Sequence, residues 1–239
     1  MQNIQKETYN GFLYEIRNPN NEKKGYLLGT MHKLPILTDS FKLNKEVNNA
    51  ISQSARVIIE YLREDIWETE FIDCETPIKV SLKENYEENE NTPSVEWKLF
   101  KKANKKQIEF GDIEYFWEQL STELIFKKMK QSEIARLGNE KYDEMYKQGL
   151  GRIQEAYRTS NSQFFKEFIS SISKEAEELY ENLFKRNVNM TTRMEYRLVK
   201  PGISFFAVGS NHLFGEKGMV SLLRDKGWVV KKVKNKPEI

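Results

Sequence analysis

Gly25-Tyr26-Leu27-Leu28-Gly29-Thr30-Met31-His32 is an apolar run that stops at Gly-x-x-His. It reads as a buried strand, and the glycine near its end lets the backbone turn or approach a ligand closely. Before it lies a turn-rich polar stretch, Asn18-Pro19-Asn20-Asn21-Glu22-Lys23-Lys24, and before that the run Phe12 to Arg17. Together these predict a hairpin with a longer loop than the two-residue ideal. After the run, Thr38, Asp39 and Ser40 offer N-caps for a helix reaching about Ser54. Phe41, Leu43, Val47, Ala50 and Ile51 would share its apolar face. Arg56-Val57-Ile58-Ile59-Glu60-Tyr61-Leu62 is then a β-branched run carrying a charge near its end. Strand, helix and strand in this order favour a parallel, right-handed crossover.

The middle of the chain changes character. Asn85 to Thr92 is a polar, acidic loop, and helical patterns dominate from about Pro93 to Leu198. Helices are expected over Ser94–Ala103, Ile113–Gln131, Glu133–Gln148, Asn161–Ser171 and Lys174–Leu198, the last with a break near Arg186 to Asn189. Phe116, Trp117, Leu120, Leu124, Phe126 and Met129 form an apolar set expected in the core. The end returns to strand patterns. Pro201-Gly202 is a turn, Ile203 to Gly209 an apolar strand, Glu216 to Lys226 a helix closed by Gly227, and Trp228 to Lys234 a final strand. The fold class is therefore α/β, in the α+β sense. Residues 1–65 and 200–239 supply a central mixed sheet, residues about 93–198 a large helical insertion, and the whole of 1–239 one domain.

Composition narrows the function classes. The 239 residues carry 38 basic and 36 acidic side chains, so no general basic field attracts nucleic acid. A mean hydropathy of −0.71 and a polar amino terminus, Met1 to Asn10, predict a cytoplasmic chain with no membrane span. The single cysteine, Cys74, excludes an intramolecular disulfide, and its neighbours Asp73 and Glu75 work against a reactive thiolate. There is no P-loop, no Gly-x-Gly-x-x-Gly after a strand and no Gly-x-Ser-x-Gly elbow.

The chemistry rests on the two histidines. Phe206-Ala207-Val208-Gly209-Ser210-Asn211-His212 repeats the earlier pattern, a strand followed by Gly-x-x-His. Ligands gather beyond the carboxyl ends of parallel strands, where His32, His212 and Glu60 would converge. Two imidazoles and one carboxylate suit a divalent metal with an open water position. The same groups could equally act as general bases without a metal.

Gly29-Thr30-Met31-His32, Glu60 and Gly209-Ser210-Asn211-His212-Leu213-Phe214-Gly215-Glu216-Lys217-Gly218 resemble the TraB/GumN family, which includes the Tiki proteins. Arg186-Asn187 with Met190 is similar to that family's Arg-Asn pair on a helix. The resemblance implies a bacterial-type, peptidase-like hydrolase dependent on a metal such as Mn, Co or Zn, acting on a peptide or small molecule. It implies His32, Glu60 and His212 as ligands and catalytic groups, with Arg186 orienting Glu60 or steadying an oxyanion. Asn211 and Asn187 would contact substrate. One departure is that Tyr61-Leu62-Arg63 follow Glu60 where the family often has a second acid. Two other readings stay open: a metal-free His/Glu esterase-like hydrolase, and a non-enzymatic module holding a peptide or haem among Tyr115, Phe116 and Trp117.

Overall fold

A computed structural model describes residues 8–9, 11–31, 42–60 and 95–234. His32, the Thr38-Asp39-Ser40 caps, Cys74 and the acidic loop at 85–92 lie outside the described residues. Strands β1 (Thr8–Tyr9) and β4 (Lys42–Leu43) form a small parallel pair. The main sheet holds β2 (Phe12–Arg17), β3 (Lys23–Thr30), β5 (Arg56–Ile59), β6 (Glu109–Asp112), β7 (Ser204–Gly209) and β8 (Val229–Lys232). Their spatial order is β6-β5-β7-β3-β2-β8. β6, β5, β7 and β3 run parallel, and β2 is antiparallel to both β3 and β8. The expected hairpin and parallel crossover are both present, with β7 inserted between β3 and β5. This mixed sheet between helices is the α/β class read from the sequence.

Helix α1 (Lys45–Gln53) starts later than expected. Asn44 is its N-cap, accepting the Val47 amide at 2.7 Å, and Leu43 belongs to a strand instead of the helix face. Asn is as good a cap as Ser or Asp, so the cap nearest the buried Val47, Ala50 and Ile51 prevails. Helices α2 (Val95–Lys105), α3 (Phe116–Leu137), α4 (Asn139–Arg158), α5 (Ser162–Glu175), α6 (Glu177–Leu198) and α7 (Met219–Asp225) follow. Gly138, with φ of 81°, divides α3 from α4 at a backbone conformation that other residues rarely adopt. α6 runs unbroken through Arg186 to Asn189, against the expected break. That continuity presents Arg186 and Asn187 from one rigid element.

Strand pleating assigns the two faces. On one, Tyr26 reaches Gln53 of α1 at 2.9 Å, and Phe110 packs edge-on against Phe100 of α2 at 5.3 Å. On the other, Phe12 meets Tyr157, Phe165 and Phe214, and a Cβ on Gly25 would press within 2.7 Å of Leu198. The sheet therefore lies between α1 and α2 on one side and α4 to α6 on the other. The apolar set expected in the core of α3 needs correction. Leu124 and Phe126 are 59% and 55% exposed although they stand about 200° apart, so this stretch of the helix is uncovered on opposite sides. The side chains of Phe116, Trp117 and Leu120 lie outside those described.

β6 was not expected from the sequence, and it carries a titration. Burial pushes the Asp112 carboxyl up to about 6 from an ordinary 3.8, against the lowering charges of Arg193 and Arg197 and with a small push from Glu114. The folded chain therefore keeps a proton that the unfolded chain releases above pH 3.8, so stability falls as pH rises from about 4 to 6. Asp112→Asn should remove this penalty, stabilising the fold at pH 7.5 by at most about 3 kcal/mol. Thermal melts at pH 7.5 and 4.5 check it; an equal gain at both would contradict the titration.

Candidate functional site

The site is built where β5, β6 and β7 end. The four residues of β5 are all buried, and Glu60 follows directly, only 3% exposed. Beyond β7 the chain enters a 3₁₀ turn, Ser210–His212, tied to β3 by the Ser210 hydroxyl, which donates to the Thr30 carbonyl at 2.9 Å. The Gly209 amide donates to Glu60 Oε2, so one strand end fixes the carboxylate of the next. His212 is buried against it, with Nε2 3.1 Å from Glu60 Oε1.

α6 supplies the rest from two consecutive positions. Asn187 Nδ2 donates to the Lys217 carbonyl at 2.9 Å, which fixes the orientation of the amide. Its Oδ1 therefore faces His212 Nδ1, at 2.5 Å, and that nitrogen must carry the hydrogen. In neutral imidazole this leaves Nε2 without a hydrogen, 3.1 Å from a carboxylate oxygen. Two acceptors so close need a proton or a cation between them. The arrangement is the one by which proteins hold a ligating or proton-accepting histidine in a single tautomer.

Arg186, 5% exposed, closes the network. Its Nη2 donates to Glu60 Oε1 at 2.8 Å and to Glu114 Oε2 at 2.8 Å, its Nε donates to Glu114 Oε1, and its Nη1 reaches Thr122 Oγ1 at 3.0 Å. Glu114 was missed in the sequence. It follows β6, and the ladder continues past the strands to place it: the Ile113 amide donates to the Ile59 carbonyl and the Glu114 amide to that of Glu60. Burial raises the Glu114 carboxyl, the Arg186 hydrogen bonds lower it, and the Glu60 charge raises it further; the net direction is up. Burial alone would lower the Arg186 guanidinium, but the Glu114 hydrogen bonds and the charges of Glu60, Glu114 and Glu118 leave it raised. Two carboxylates against one guanidinium leave the cluster one positive charge short, which a proton within it or a bound cation would supply.

Of the residues singled out from the sequence, Glu60, His212, Arg186 and Asn187 meet in one hydrogen-bonded cluster. Asn211 adjoins it, and its Oδ1 is buried with no hydrogen-bond partner among the described residues. His32 is outside the described residues, but Thr30, two positions earlier, pairs with Gly209 at the same rim. Asn187, expected at the substrate, contacts His212 Nδ1 through its Oδ1.

A metal can be tested against these donors. Ligands about 2.1 Å from one ion stand about 3.0 to 3.4 Å apart, and the Nε2–Oε1 separation of 3.1 Å fits. His212 and Glu60 therefore suit two positions of a divalent ion. Among the described residues no group of three His, Cys, Asp or Glu completes a set.

The comparisons with known proteins bear on the same residues. A search among curated proteins and a search among solved structures give no match. The family model described as the TraB/PrgY/gumN family matches residues 78–232, about two thirds of the chain. The matched span contains Glu114, Arg186, Asn187 and His212 and begins after His32 and Glu60. With most of its length matched, the chain belongs to the TraB/PrgY/gumN family.

Proposed function

We propose that this protein is a metal-dependent, peptidase-like hydrolase centred on His212 and Glu60. The observation that carries the reading is His212 Nε2, left without a hydrogen by the Asn187 contact at Nδ1 and standing 3.1 Å from Glu60 Oε1. His212 and Glu60 would hold the metal, with His32 as the further ligand suggested by its own Gly-x-x-His. A bound divalent ion would polarise an acyl carbonyl and lower the pKa of its water to about 7. The chain's own groups supply orientation and proton transfer. Asn187 keeps the hydrogen of His212 on Nδ1, and the Gly209 amide with Arg186 holds the Glu60 carboxyl in place. Glu60 would ligate the ion through Oε1 or, in place of that role, take the proton of the attacking water and return it to the leaving group.

We read the setting as cytoplasmic and bacterial, with a peptide or small acyl compound as substrate and no nucleic-acid or membrane partner. Among the described residues no helix is long and apolar enough to cross a membrane. A second reading, a metal-free His–Glu hydrolase, is favoured by the direct contact of the two side chains. The haem- or peptide-holding alternative keeps Tyr115 as its one aromatic with a described side chain, 41% exposed beneath the Arg193 guanidinium.

The test is cleavage of a pool of fluorogenic peptides by the purified protein with Mn²⁺, Co²⁺ or Zn²⁺. Hydrolysis that stops on chelation and returns with one of these ions is the expected result. Hydrolysis that survives exhaustive chelation would transfer the assignment to the metal-free pair, and no hydrolysis of any peptide or ester would sink both.

A further inference from the structure

Arg186 poses a problem for any cation held by Glu60. Its Nη2 lies 2.8 Å from the same Oε1 that faces His212 Nε2, so a bound ion would have a buried guanidinium as its neighbour. Like charges at such range oppose each other strongly where water is excluded. The guanidinium is nonetheless well placed as a donor that orients Glu60, a service that ligating carboxylates ordinarily need. A compensating negative charge that touches Arg186 but not the ion would reconcile the two.

Glu114 has those properties. Its side chain is fully buried and grips Arg186 side-on, through Nε and Nη2 together. The grip leaves Nη2 a second hydrogen for Glu60, while Thr122 takes Nη1. Glu114 itself is held beside Glu60 by the amide-to-carbonyl bond between the two residues, at 2.9 Å. A lone buried carboxylate is costly, and this one satisfies both oxygens on the guanidinium alone.

Resting on the metal-hydrolase reading, we propose that Glu114 is a positioning residue that cancels the charge of Arg186, so that Arg186 can orient Glu60 while Glu60 and His212 hold a divalent cation. Removing only the carboxylate leaves an unbalanced cation at the site. Removing the guanidinium as well restores the balance, and the Gly209 amide still fixes Glu60.

The experiment measures Mn²⁺ affinity by electron paramagnetic resonance for wild type, Glu114→Gln and the double variant Glu114→Gln/Arg186→Gln, with circular dichroism confirming each fold. Glu114→Gln is expected to bind about 10- to 100-fold more weakly, and the double variant to return within about threefold of wild type. A merely structural role for Glu114 would not be rescued by a second loss of packing. Should Glu114→Gln fail to fold, the folded double variant carries the decision: near-wild-type affinity supports the proposal and lost affinity overturns it. A folded Glu114→Gln with unchanged affinity overturns it while leaving the hydrolase reading intact. Absence of Mn²⁺ binding in wild type overturns both.

Discussion

Arg186→Met is expected to lower the melting temperature by about 10 °C. The guanidinium is 5% exposed and is the hydrogen-bonded counter-charge of both Glu60 and Glu114. Breaking a buried pair by removing one partner costs about 3–5 kcal/mol, because the remaining charge has neither water nor a partner. In a chain of this length each kcal/mol shifts the midpoint by about 2–4 °C. Methionine fills similar volume, so the loss reports charge and hydrogen bonding more than a cavity. The two carboxylates left behind repel each other, and one would take up a proton as pH falls. The destabilisation should therefore be larger at pH 8 than at pH 5. Arg186→Lys keeps the charge but cannot reproduce the side-on fork to Glu114, and should recover part of the loss. A melting temperature for Arg186→Met within two or three degrees of wild type would mean that the cluster is not formed as described.

The parts of this site that were legible in the sequence are those that local pattern encodes. Val57-Ile58-Ile59 and Phe205 to Val208 are buried strands because continuous β-branched and aromatic runs suit a sheet covered on both faces. The glycines before His32 and His212 mark strand ends. At Gly29 the need is steric, since a Cβ would come within 2.5 Å of Leu213 and 3.0 Å of Ser210. Glu114 was not legible. β6 is four residues long, Glu109-Phe110-Gly111-Asp112, with Phe110 its one apolar buried residue and Gly111 and Asp112 half-buried, as an edge strand permits. A weak signal exists, for Glu114 stands just past a short strand as Glu60 does. Arg186 and Asn187 were legible only through family resemblance. Nothing local distinguishes a buried arginine on a charged helix from a solvated one; the distinction comes from carboxylates 72 and 126 positions away. Leu124 and Phe126 misled because apolar residues at mixed spacing do not form one stripe.

His212 bears the central claim. Its removal leaves the neighbours partnered: Asn187 stays on the Lys217 carbonyl, and Glu60 stays on the Gly209 amide and Arg186. His212→Ala should therefore fold while losing the only described imidazole in the cluster, and with it metal and hydrolysis together. The proton arithmetic makes the same point, because Nε2 and Oε1 stand 3.1 Å apart as two acceptors until they share a proton or bind one cation together. The most direct test is elemental analysis of metal content after dialysis against Mn²⁺, Co²⁺ and Zn²⁺ and removal of free ions, wild type beside His212→Ala. The account predicts about one divalent ion per wild-type chain and almost none in the folded variant. A well-folded wild type without metal, or a variant that retains it in full, would contradict the assignment of His212 and Glu60 as a metal centre.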